Sequence, residues 1–401
     1  MLKAIYISYY GILEPLGQSQ ILPYIKELSK KKINFYLVSF EKKKYYNEIS
    51  YKDCFRNLSQ CNIRWRPLIY HKKPQILSTI FDIFNGLFIC SFIIIKYKPK
   101  IIHARSYVAA LMAWLIKKIF HTKFIFDMRG FWADERVEGR IWKTKNGLLY
   151  KFAKFIEVFL LRDADEIIVL THHAVTILKN WGYTTRNVSV IPFCVDDEFF
   201  KFDRETRVSL RSKYGLSDKL IFVHTGALGY WYMKDKMIDY FKSAINILPN
   251  VHFLILTQDE YNKIIKIISD AKLDREYFTI LNISFNEMPK YLSMADAGIF
   301  FITPVFSKLA SSPTKFAEYL SCGLPVITNE RIGDLEEYIT NNNIGVIIRN
   351  FCREEYNESL ERLAGLLRDD NLKSRCRRTV YDNFSLKIGV GKYSQIYSRL
   401  N

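Results

Sequence analysis

The sequence predicts an α/β protein built from two doubly wound domains, and three observations lead to this prediction. The 401 residues exceed what one typical hydrophobic core accommodates. Short apolar strand patterns alternate with amphipathic helix patterns in both halves of the chain, which indicates parallel sheets joined by crossover helices. The alternation stops once, where residues 192–197 lead into the charged segment 201–217. We therefore predict a linker at this point.

In the first half, an apolar strand at 4–8 precedes a helix at 20–31 that places Ile21, Ile25 and Leu28 on one face. Strand and helix patterns then continue in alternation. The predicted strands are 35–40, 101–103, 123–127, 166–170 and 188–191, and the predicted helices are 108–120, 148–163 and one beginning at Thr171. We expect these elements to form one open parallel sheet.

The segment 76–95 is strongly apolar. It contains Asp82, Asn85 and Gly86, so its uninterrupted apolar part is shorter than the ~20 residues that a membrane span needs. We expect a helix that is buried or touches an interface, rather than one that crosses a membrane.

The second half repeats the alternation. Its predicted strands are 220–224, 252–256, 279–281, 297–302, 325–328 and 345–348. We expect a first domain over 1–192, a linker over 193–217 and a second domain over 218–384. Ligands of such folds bind where strand C-termini and helix N-termini converge, so we expect a cleft between the two domains.

Basic residues outnumber acidic ones, with 59 Lys and Arg against 41 Asp and Glu and a net charge of +18. Nucleic acid, an anionic membrane surface and acidic substrates would each favour such a charge, and AT-rich coding explains part of it. The basic clusters do not alternate with aromatic residues in a nucleic-acid-binding motif, so nucleic acid is not expected as a partner.

The seven cysteines are odd in number and contain no Cys-x-x-Cys pair. This favours reduced thiols over a disulfide framework or a zinc site. The chain opens with a strand pattern instead of a signal peptide pattern. We therefore expect a cytoplasmic protein, and no cluster of metal-ligating residues stands out in the sequence.

One predicted helix, within residues 311–327, has clear ends. Ser312 is a good N-cap residue, Pro313 suits the first helical position, and Gly323 ends the helix before a buried strand.

This helix carries a cation, Lys315, in its first turn, where the helix dipole disfavours positive charge. Glu318 follows on the same face. A bound phosphate would explain the arrangement, because backbone N–H groups and the ammonium would both bind it, and Glu318 would accept bonds from ribose hydroxyls. An ordinary capped helix with a Lys–Glu pair on the surface is the alternative.

Glycines follow the first strand of each predicted domain. Gly17 precedes a helix in the first domain, and Gly226 and Gly229 directly follow a strand in the second. Glycines allow a ligand to approach the backbone closely, although the sequence lacks the G-x-G-x-x-G pattern of dinucleotide binding. The aromatic residues 230–232 would then stack on a sugar or base, or pack into the domain core.

A third loop, 126–136, places charged and aromatic residues at the end of a strand. Asp127, Arg129, Trp132 and Glu135 are typical of sugar-binding chemistry, although a salt-bridged surface loop is the alternative. Two more candidates, His103 and Arg105, end the preceding strand and would reach the same region.

Together these segments resemble the GT-B glycosyltransferases, specifically glycosyltransferase family 4. The resemblance covers essentially the whole chain and depends on residues 15–20, 191–196, 225–229 and 312–327. It implies a GT-B fold, in which two Rossmann-like domains, an acceptor domain and a donor domain, face each other across a cleft. It also implies that the C-terminal helix within 385–401 packs back on the first domain.

The resemblance further implies a nucleotide-sugar donor held by the second domain. Glu318 matches the family glutamate that binds the ribose. Lys315 and the helix start at Ser312, Pro313 and Thr314 would hold the phosphates, with Gly17 approaching from the first domain. Such enzymes retain the anomeric configuration and need neither a metal nor another cofactor.

The chain departs from the family pattern at three positions. The basic residue that often follows the second glycine loop is not clearly present, and Lys234 is a distant candidate. Ala310 stands where many members have a second glutamate, and the common histidine near the strand 124–127 is absent. Asp127 and Arg129 are close to the missing histidine, so we predict these two residues and Lys315 as catalytic. His103, Arg105, Trp132 and Glu135 are the acceptor or sugar candidates, and Gly17, Gly226 and Gly229 complete the donor site.

These expectations describe a cytoplasmic, retaining, metal-independent glycosyltransferase. Its acceptor would be a lipid-linked saccharide or a surface polysaccharide, and its basic first domain would bind an anionic membrane at the inner face of the plasma membrane. Three alternatives stay open: a GT-B nucleotide-sugar epimerase, an inactive subunit that binds sugar nucleotides or glycans, and a nucleic-acid-binding protein.

Overall fold

The computed structural model describes residues 2–401, apart from the side chains of residues 49, 50 and 75. The chain divides into two compact units. Unit 1 consists of Met1–Pro192 together with Leu386–Asn401, and unit 2 consists of Phe193–Ser385.

In chain order the strands are β1 (Leu2–Ser8), β2 (Ile33–Glu41), β3 (Arg64–Ile69), β4 (Ile101–Arg105), β5 (Lys123–Asp127), β6 (Glu166–Val169), β7 (Val188–Val190), β8 (Leu220–Thr225), β9 (Val251–Leu256), β10 (Phe278–Leu281), β11 (Ala297–Ile299), β12 (Val326–Asn329) and β13 (Gly345–Ile348). The α-helices are α1 (Pro15–Gln20), α2 (Leu22–Lys30), α3 (Glu48–Gln60), α4 (Gln75–Tyr97), α5 (Tyr107–Phe120), α6 (Trp132–Glu138), α7 (Leu148–Asp163), α8 (His172–Asn180), α9 (Arg204–Lys213), α10 (Lys234–Ile247), α11 (Tyr261–Asp270), α12 (Met288–Leu292), α13 (Thr314–Ser321), α14 (Leu335–Asn342), α15 (Arg353–Leu367), α16 (Leu372–Asn383) and α17 (Leu386–Leu400).

Each unit contains one parallel sheet with crossover helices, as the alternation predicted. The sheet of unit 1 has seven strands in the order β3-β2-β1-β4-β5-β6-β7, and the sheet of unit 2 has six in the order β10-β9-β8-β11-β12-β13. All neighbouring strands in both sheets run parallel. The predicted fold, two Rossmann-like doubly wound α/β units, is confirmed.

Four elements of unit 1, namely α1, α3, β3 and α6, were not predicted. The strand β3 lies at the edge of the sheet, where the charged Arg64 and Arg66 flank the buried Trp65. Such an interrupted pattern is a weak strand signal in the sequence. The helix expected over 20–31 is observed as α2, whereas α1 contains Gly17, which was expected to precede the helix. Pro23 in the first turn of α2 lacks the amide hydrogen that one continuous helix would use.

The apolar segment 76–95 forms most of α4, which packs on α5 and β2 in unit 1. By length and composition alone, the part Ile76–Tyr97 is able to cross a membrane. A Cβ on Gly86 would lie 2.6 Å from the Met112 sulfur, so glycine allows α4 to lie close to α5. The carboxylate of Asp82 is fully buried and accepts hydrogen bonds from Tyr9 (2.9 Å) and His71 (2.6 Å). One face of α4 is thus packed within unit 1.

The segment 193–217, expected as a linker, is part of unit 2. Its helix α9 is fixed to the sheet because Arg207 and Arg211 each form a 2.5 Å ion pair with Asp296, the residue before β11. The strand expected over 297–302 is also shorter than predicted and ends at Ile299. All seven cysteines are free thiols, and most of them are buried.

Candidate functional site

The helix α13 is fixed against the C-terminal end of β8 by Tyr319. The Tyr319 hydroxyl accepts a 2.9 Å hydrogen bond from the backbone N–H of Thr225. Its ring lies over Gly298 of β11, where a Cβ would come within 2.0 Å of the ring carbon Cδ2. Glycine at this position therefore lets α13 approach the sheet, which sets the place of the first turn of the helix.

Lys315 lies in that first turn and is only 6% exposed. Its Nζ donates a 2.5 Å hydrogen bond to the carbonyl oxygen of Thr225 and lies 3.7 Å from the ring centroid of Tyr232. The alternative of a Lys–Glu pair on the surface is therefore wrong, because this cation is buried at the end of β8.

The start of α13 differs from the prediction by one residue. The helix begins at Thr314, with Pro313 as the N-cap residue and without a side-chain cap. Ser312 does not cap the helix, since its Oγ accepts a 3.2 Å hydrogen bond from the backbone N–H of Phe193 instead. The helix ends as predicted, with Gly323 in the left-handed region at φ 77°.

Burial shifts the pKa of both charged residues of α13. It lowers the pKa of Lys315 to about 7, although the nearby Glu318 opposes this shift. Burial also raises the pKa of Glu318 to about 7, and Lys315 opposes that shift in turn. Both changes have the same cause, because a buried group loses the water that stabilises its charged form. An anion next to Lys315 would restore the charged ammonium.

The loop after β8 leaves space beside this lysine. Gly226 and Gly229 have φ values of 89° and 134°, which non-glycine residues rarely adopt. A Cβ on Gly226 would lie 3.6 Å from Lys315 Nζ, and a Cβ on Gly229 would meet nothing within 4 Å. The loop is held at Leu228, whose N–H donates a 2.9 Å hydrogen bond to the carboxylate of Asp259. Of the two predicted glycines, Gly226 therefore lies beside the predicted lysine.

A second buried lysine, Lys308, was not identified from the sequence. It is 6% exposed, and its Nζ lies 3.8 Å from the ring centroid of Trp231, in the same loop after β8. The sequence signal was a single cation in the apolar stretch before α13, two residues from the buried Ala310. Unit 2 thus brings two lysines to the loop that follows β8.

In unit 1, the first glycine loop is held by a buried carboxylate. Glu41 at the end of β2 accepts hydrogen bonds from the N–H groups of Ile12 (2.9 Å) and Leu13 (3.2 Å). A Cβ on Gly17 would lie 2.3 Å from the carbonyl oxygen of Gly11, so Gly17 is needed for the loop to pack on itself. Its predicted contact with a donor stays a prediction.

Asp127 and its neighbours form a buried cluster at the ends of β4 and β5. The Asp127 Oδ2 atom accepts a 2.6 Å hydrogen bond from Arg129 and lies 3.4 Å from His103 Nε2 and 3.8 Å from Arg105. Burial opposes ionisation of Asp127, but Arg129 and His103 outweigh it and hold the pKa of Asp127 below its usual value. The predicted proximity of these residues is therefore correct.

The same cluster includes Tyr393 and Tyr397 of α17. The Tyr393 hydroxyl accepts a 2.7 Å hydrogen bond from Arg129 and donates one of 3.3 Å to Asp127. The Tyr397 hydroxyl is 2.8 Å from His103 Nδ1. The structure thus gives Asp127 and Arg129 the role of holding α17, and their catalytic role stays a prediction.

The remaining candidates, Trp132 and Glu135, lie in α6. The Trp132 ring stacks on Tyr107 at 5.7 Å and contacts Trp142 edge-on at 5.2 Å. Glu135 is half-buried in the first turn of this helix. Within residues 2–401, no group of three or more His, Cys, Asp or Glu side chains is placed to hold a metal ion.

Two units that each contain a parallel sheet with crossover helices have the architecture of a GT-B glycosyltransferase. A family model described as glycosyl transferases group 1 matches residues 207–382, and one described as a glycosyl transferase 4-like domain matches residues 54–194. Together the two matches cover most of the chain, which belongs to the family 4 glycosyltransferases of the GT-B fold and is an enzyme. No curated protein matches the sequence.

Solved glycosyltransferase structures share the fold at low sequence identity. A glycosyltransferase from Rickettsia africae has a TM-score of 0.73 and 17% identity, covering 100% of this chain and 98% of that one. Anabaena Alr3699/HepE, solved in complex with UDP, has a TM-score of 0.71 and 13% identity, covering 100% of both chains. WaaG, a glycosyltransferase involved in lipopolysaccharide biosynthesis, has a TM-score of 0.67 and 14% identity, covering 98% and 99%.

Proposed function

We propose that unit 2 binds a nucleotide-sugar donor at the first turn of α13 and that the enzyme transfers the sugar with retention of configuration. The observation that carries the proposal is the buried ammonium of Lys315, which faces the open side of Gly226. Because its pKa is lowered to about 7, an anionic ligand stabilises its charged form. The diphosphate of a nucleotide sugar supplies that anion next to the N–H groups of a helix N-terminus.

We propose that lysines, rather than a metal ion, stabilise the leaving group. When the bond from the sugar to the diphosphate breaks, negative charge accumulates on the departing phosphate oxygen. Lys315 and Lys308 supply positive charge at the loop after β8, where it stabilises this developing charge. Glu318 accepts hydrogen bonds from the ribose hydroxyls and so orients the nucleotide.

A uridine diphosphate sugar is the first donor to test. Anabaena HepE, which shares the fold, was solved with UDP and with UDP-glucose. In this chain the rings of Tyr232 and Trp231 lie next to the two lysines and offer apolar surface to a base or a sugar.

The acceptor that we propose is a lipid-linked saccharide or a growing surface polysaccharide, handled on the cytoplasmic side of a membrane. The likeness to WaaG, which acts in lipopolysaccharide biosynthesis, supports this choice. The aromatic and charged residues of α6, Trp132 and Glu135, are the proposed acceptor contacts in unit 1.

The experiment that tests the donor site is calorimetric titration with UDP, GDP, ADP and CMP. We expect one nucleotide to be preferred, and Lys315→Ala and Glu318→Ala each to weaken its binding by ~1–3 kcal/mol. The matched controls are Lys290→Ala and Glu358→Ala, which remove exposed charges elsewhere in unit 2 and should leave binding unchanged. Binding that is indifferent to Lys315 and Glu318 would refute the site.

Product analysis then distinguishes the reaction from its alternatives. A transferase releases nucleotide in proportion to sugar attached to the acceptor, and retention is read from the anomeric proton coupling of the product. An epimerase instead releases nucleotide and an altered sugar without any acceptor. Tight nucleotide binding without turnover on any acceptor would favour an inactive binding subunit.

A further inference from the structure

The helix α4 has two different faces. Cys90, Ile93 and Ile94 are buried against unit 1. The opposite face carries large apolar side chains that solvent reaches, with Phe88 72% exposed. These are Leu77, Ile80, Phe81, Phe84, Phe88, Phe92 and Ile95. Their spacing of three or four residues places most of them in one stripe along the helix.

The apolar surface continues onto the helices beside α4. The helix α5 packs against both α4 and α7, so the three helices form one layer on the sheet of unit 1. The rings of Trp114 in α5 and Phe159 in α7 lie 5.7 Å apart within this layer. Further apolar side chains are exposed on α5 and α7, namely Ile119, Leu148, Phe152 and Phe155. We call the exposed apolar residues of α4, α5 and α7 the α4–α7 face.

Charged groups are arranged around the stripe instead of within it. Between residues 76 and 95 the only Asp, Glu, Lys, Arg or His is Asp82, and its carboxylate is turned inward to Tyr9 and His71. Exposed lysines flank α4 on both sides: Lys72 and Lys73 precede it, and Lys96, Lys98 and Lys100 lie at its end or follow it. Such long side chains place their ammonium groups at the phosphate level of a membrane while the helix lies among the acyl chains.

The positive charge of the chain is concentrated in the unit that carries this face. Unit 1 contains 34 Lys and Arg against 14 Asp and Glu, a balance of +20, whereas unit 2 contains 25 against 27, a balance of −2. A coding bias toward lysine would affect both units alike. The difference therefore needs an explanation specific to unit 1, and attraction to an anionic lipid surface provides one.

We propose that unit 1 docks on an anionic lipid bilayer through the α4–α7 face, with α4 lying in the plane of the interface. This inference rests on the proposed function to the extent that a lipid-linked acceptor gives the docking a purpose. The helix does not cross the bilayer, because its other face is packed on α5 and the inward Asp82 is hydrogen-bonded within unit 1. A second copy of the chain is the less favourable occupant, since two units of charge +20 repel each other.

The test is flotation of the full chain with vesicles of phosphatidylcholine alone and of phosphatidylcholine mixed with phosphatidylglycerol. We expect binding to the mixed vesicles that weakens as salt is added, and little binding to the neutral ones. The double variant Phe84→Ser, Phe88→Ser should lower the partition coefficient by about tenfold or more, because two exposed rings no longer enter the bilayer. The variant Lys96→Ala, Lys98→Ala should lower it only for the anionic vesicles.

The matched control is Val208→Ser, Tyr381→Ser, which removes two exposed apolar side chains from unit 2 and should bind vesicles like the wild type. Circular dichroism and melting temperature establish that each variant folds. Absence of flotation with anionic vesicles, or equal flotation of the Phe84→Ser, Phe88→Ser variant, would overturn the proposal. A dimer in sedimentation that only this variant abolishes, without vesicle binding, would overturn it in favour of a second copy.

The test of membrane docking is independent of the test of the donor site. Calorimetry with UDP on the Phe84→Ser, Phe88→Ser variant should give wild-type affinity, because the substitutions lie in unit 1. Loss of vesicle binding with intact nucleotide binding tests the docking alone, whereas loss of nucleotide binding in Lys315→Ala tests the donor site alone.

Discussion

The ammonium group of Lys315 donates a 2.5 Å hydrogen bond to the carbonyl oxygen of Thr225, which ties the first turn of α13 to the last residue of β8. A backbone carbonyl satisfies one N–H of the ammonium without neutralising its charge. The remaining positive charge is available to an anion at the open side of Gly226. This relationship leads to a prediction about protons.

Nucleotide binding near neutral pH should change the number of protons that the protein holds. Phosphate oxygens raise the pKa of Lys315 above about 7, so the lysine takes up a proton, whereas hydroxyl donors lower the pKa of Glu318, which releases one. In Glu318→Gln only the uptake is left, so net proton uptake should exceed that of the wild type. Calorimetry in buffers of different ionisation enthalpy measures it, with Glu358→Gln as the control. Unchanged uptake in Glu318→Gln would contradict the assignment.

Lys308 should contribute to diphosphate binding. Because its ammonium lies over Trp231 beside the same loop, we expect Lys308→Ala to weaken UDP binding by ~1–2 kcal/mol while uridine binding stays the same. Lys308→Arg should restore part of the loss. If the lysine only positioned the Trp231 ring, UDP and uridine would lose affinity equally, and titration of both ligands tells the two roles apart.

Asp127→Asn should destabilise unit 1 at neutral pH by about 3–5 kcal/mol, because Arg129 would be left buried beside a neutral amide. The pKa of Asp127 is held below its usual value, so its contribution is complete above the ordinary aspartate pKa of about 4 and is lost as the pH falls below it. The difference between wild type and variant should therefore shrink on acidification. Urea unfolding at several pH values measures it.

The exposed Asp235 of unit 2 provides the control for this experiment, since Asp235→Asn should change stability little at any pH. A difference between wild type and Asp127→Asn that is constant down to low pH would show that the carboxylate charge is not the stabilising feature.

Gly298→Ala should destabilise unit 2 by about 2 kcal/mol or more, because the new Cβ would overlap the Tyr319 ring at 2.0 Å. In the double variant Gly298→Ala, Tyr319→Leu, the loss of unfolding free energy should be smaller than the sum of the losses in the two single variants. The reason is that leucine at position 319 leaves room for the new Cβ. Thermal unfolding of the four proteins gives the comparison. Strict additivity would mean that the overlap is relieved elsewhere.

Much of the fold was predictable because each strand of a parallel sheet is a short apolar run. The strand β3 was missed because it lies at an edge, where Arg64 and Arg66 interrupt that run. The first turn of α13 was identified as a candidate binding site because the cation Lys315 is unfavourable next to the helix dipole. Ser312 was misassigned as the N-cap residue because its actual partner, Phe193, lies 119 residues away.

Other parts of the site could not be predicted because their contacting residues are also far apart in the sequence. Glu41 holds the amides of residues that precede it by 29 and 28 positions, and Lys308 contacts a ring on a different loop. Such partners depend on which strand ends lie side by side, and a single sequence does not specify the order of strands in a sheet. Local patterns predict elements, whereas long-range side-chain pairs require the folded backbone.

The contacts of α17 have a consequence for how the protein is made. The hydroxyls of Tyr393 and Tyr397 complete the buried cluster around Asp127, yet the ribosome adds them after all of Phe193–Ser385. At ordinary synthesis rates, roughly 10–40 s pass between the synthesis of the first sheet and the synthesis of these two side chains. During that interval Asp127, Arg129 and His103 lack their final partners, and unit 2 is able to fold first. The buried cluster of the first unit is therefore completed only after the whole of the second unit has been synthesised.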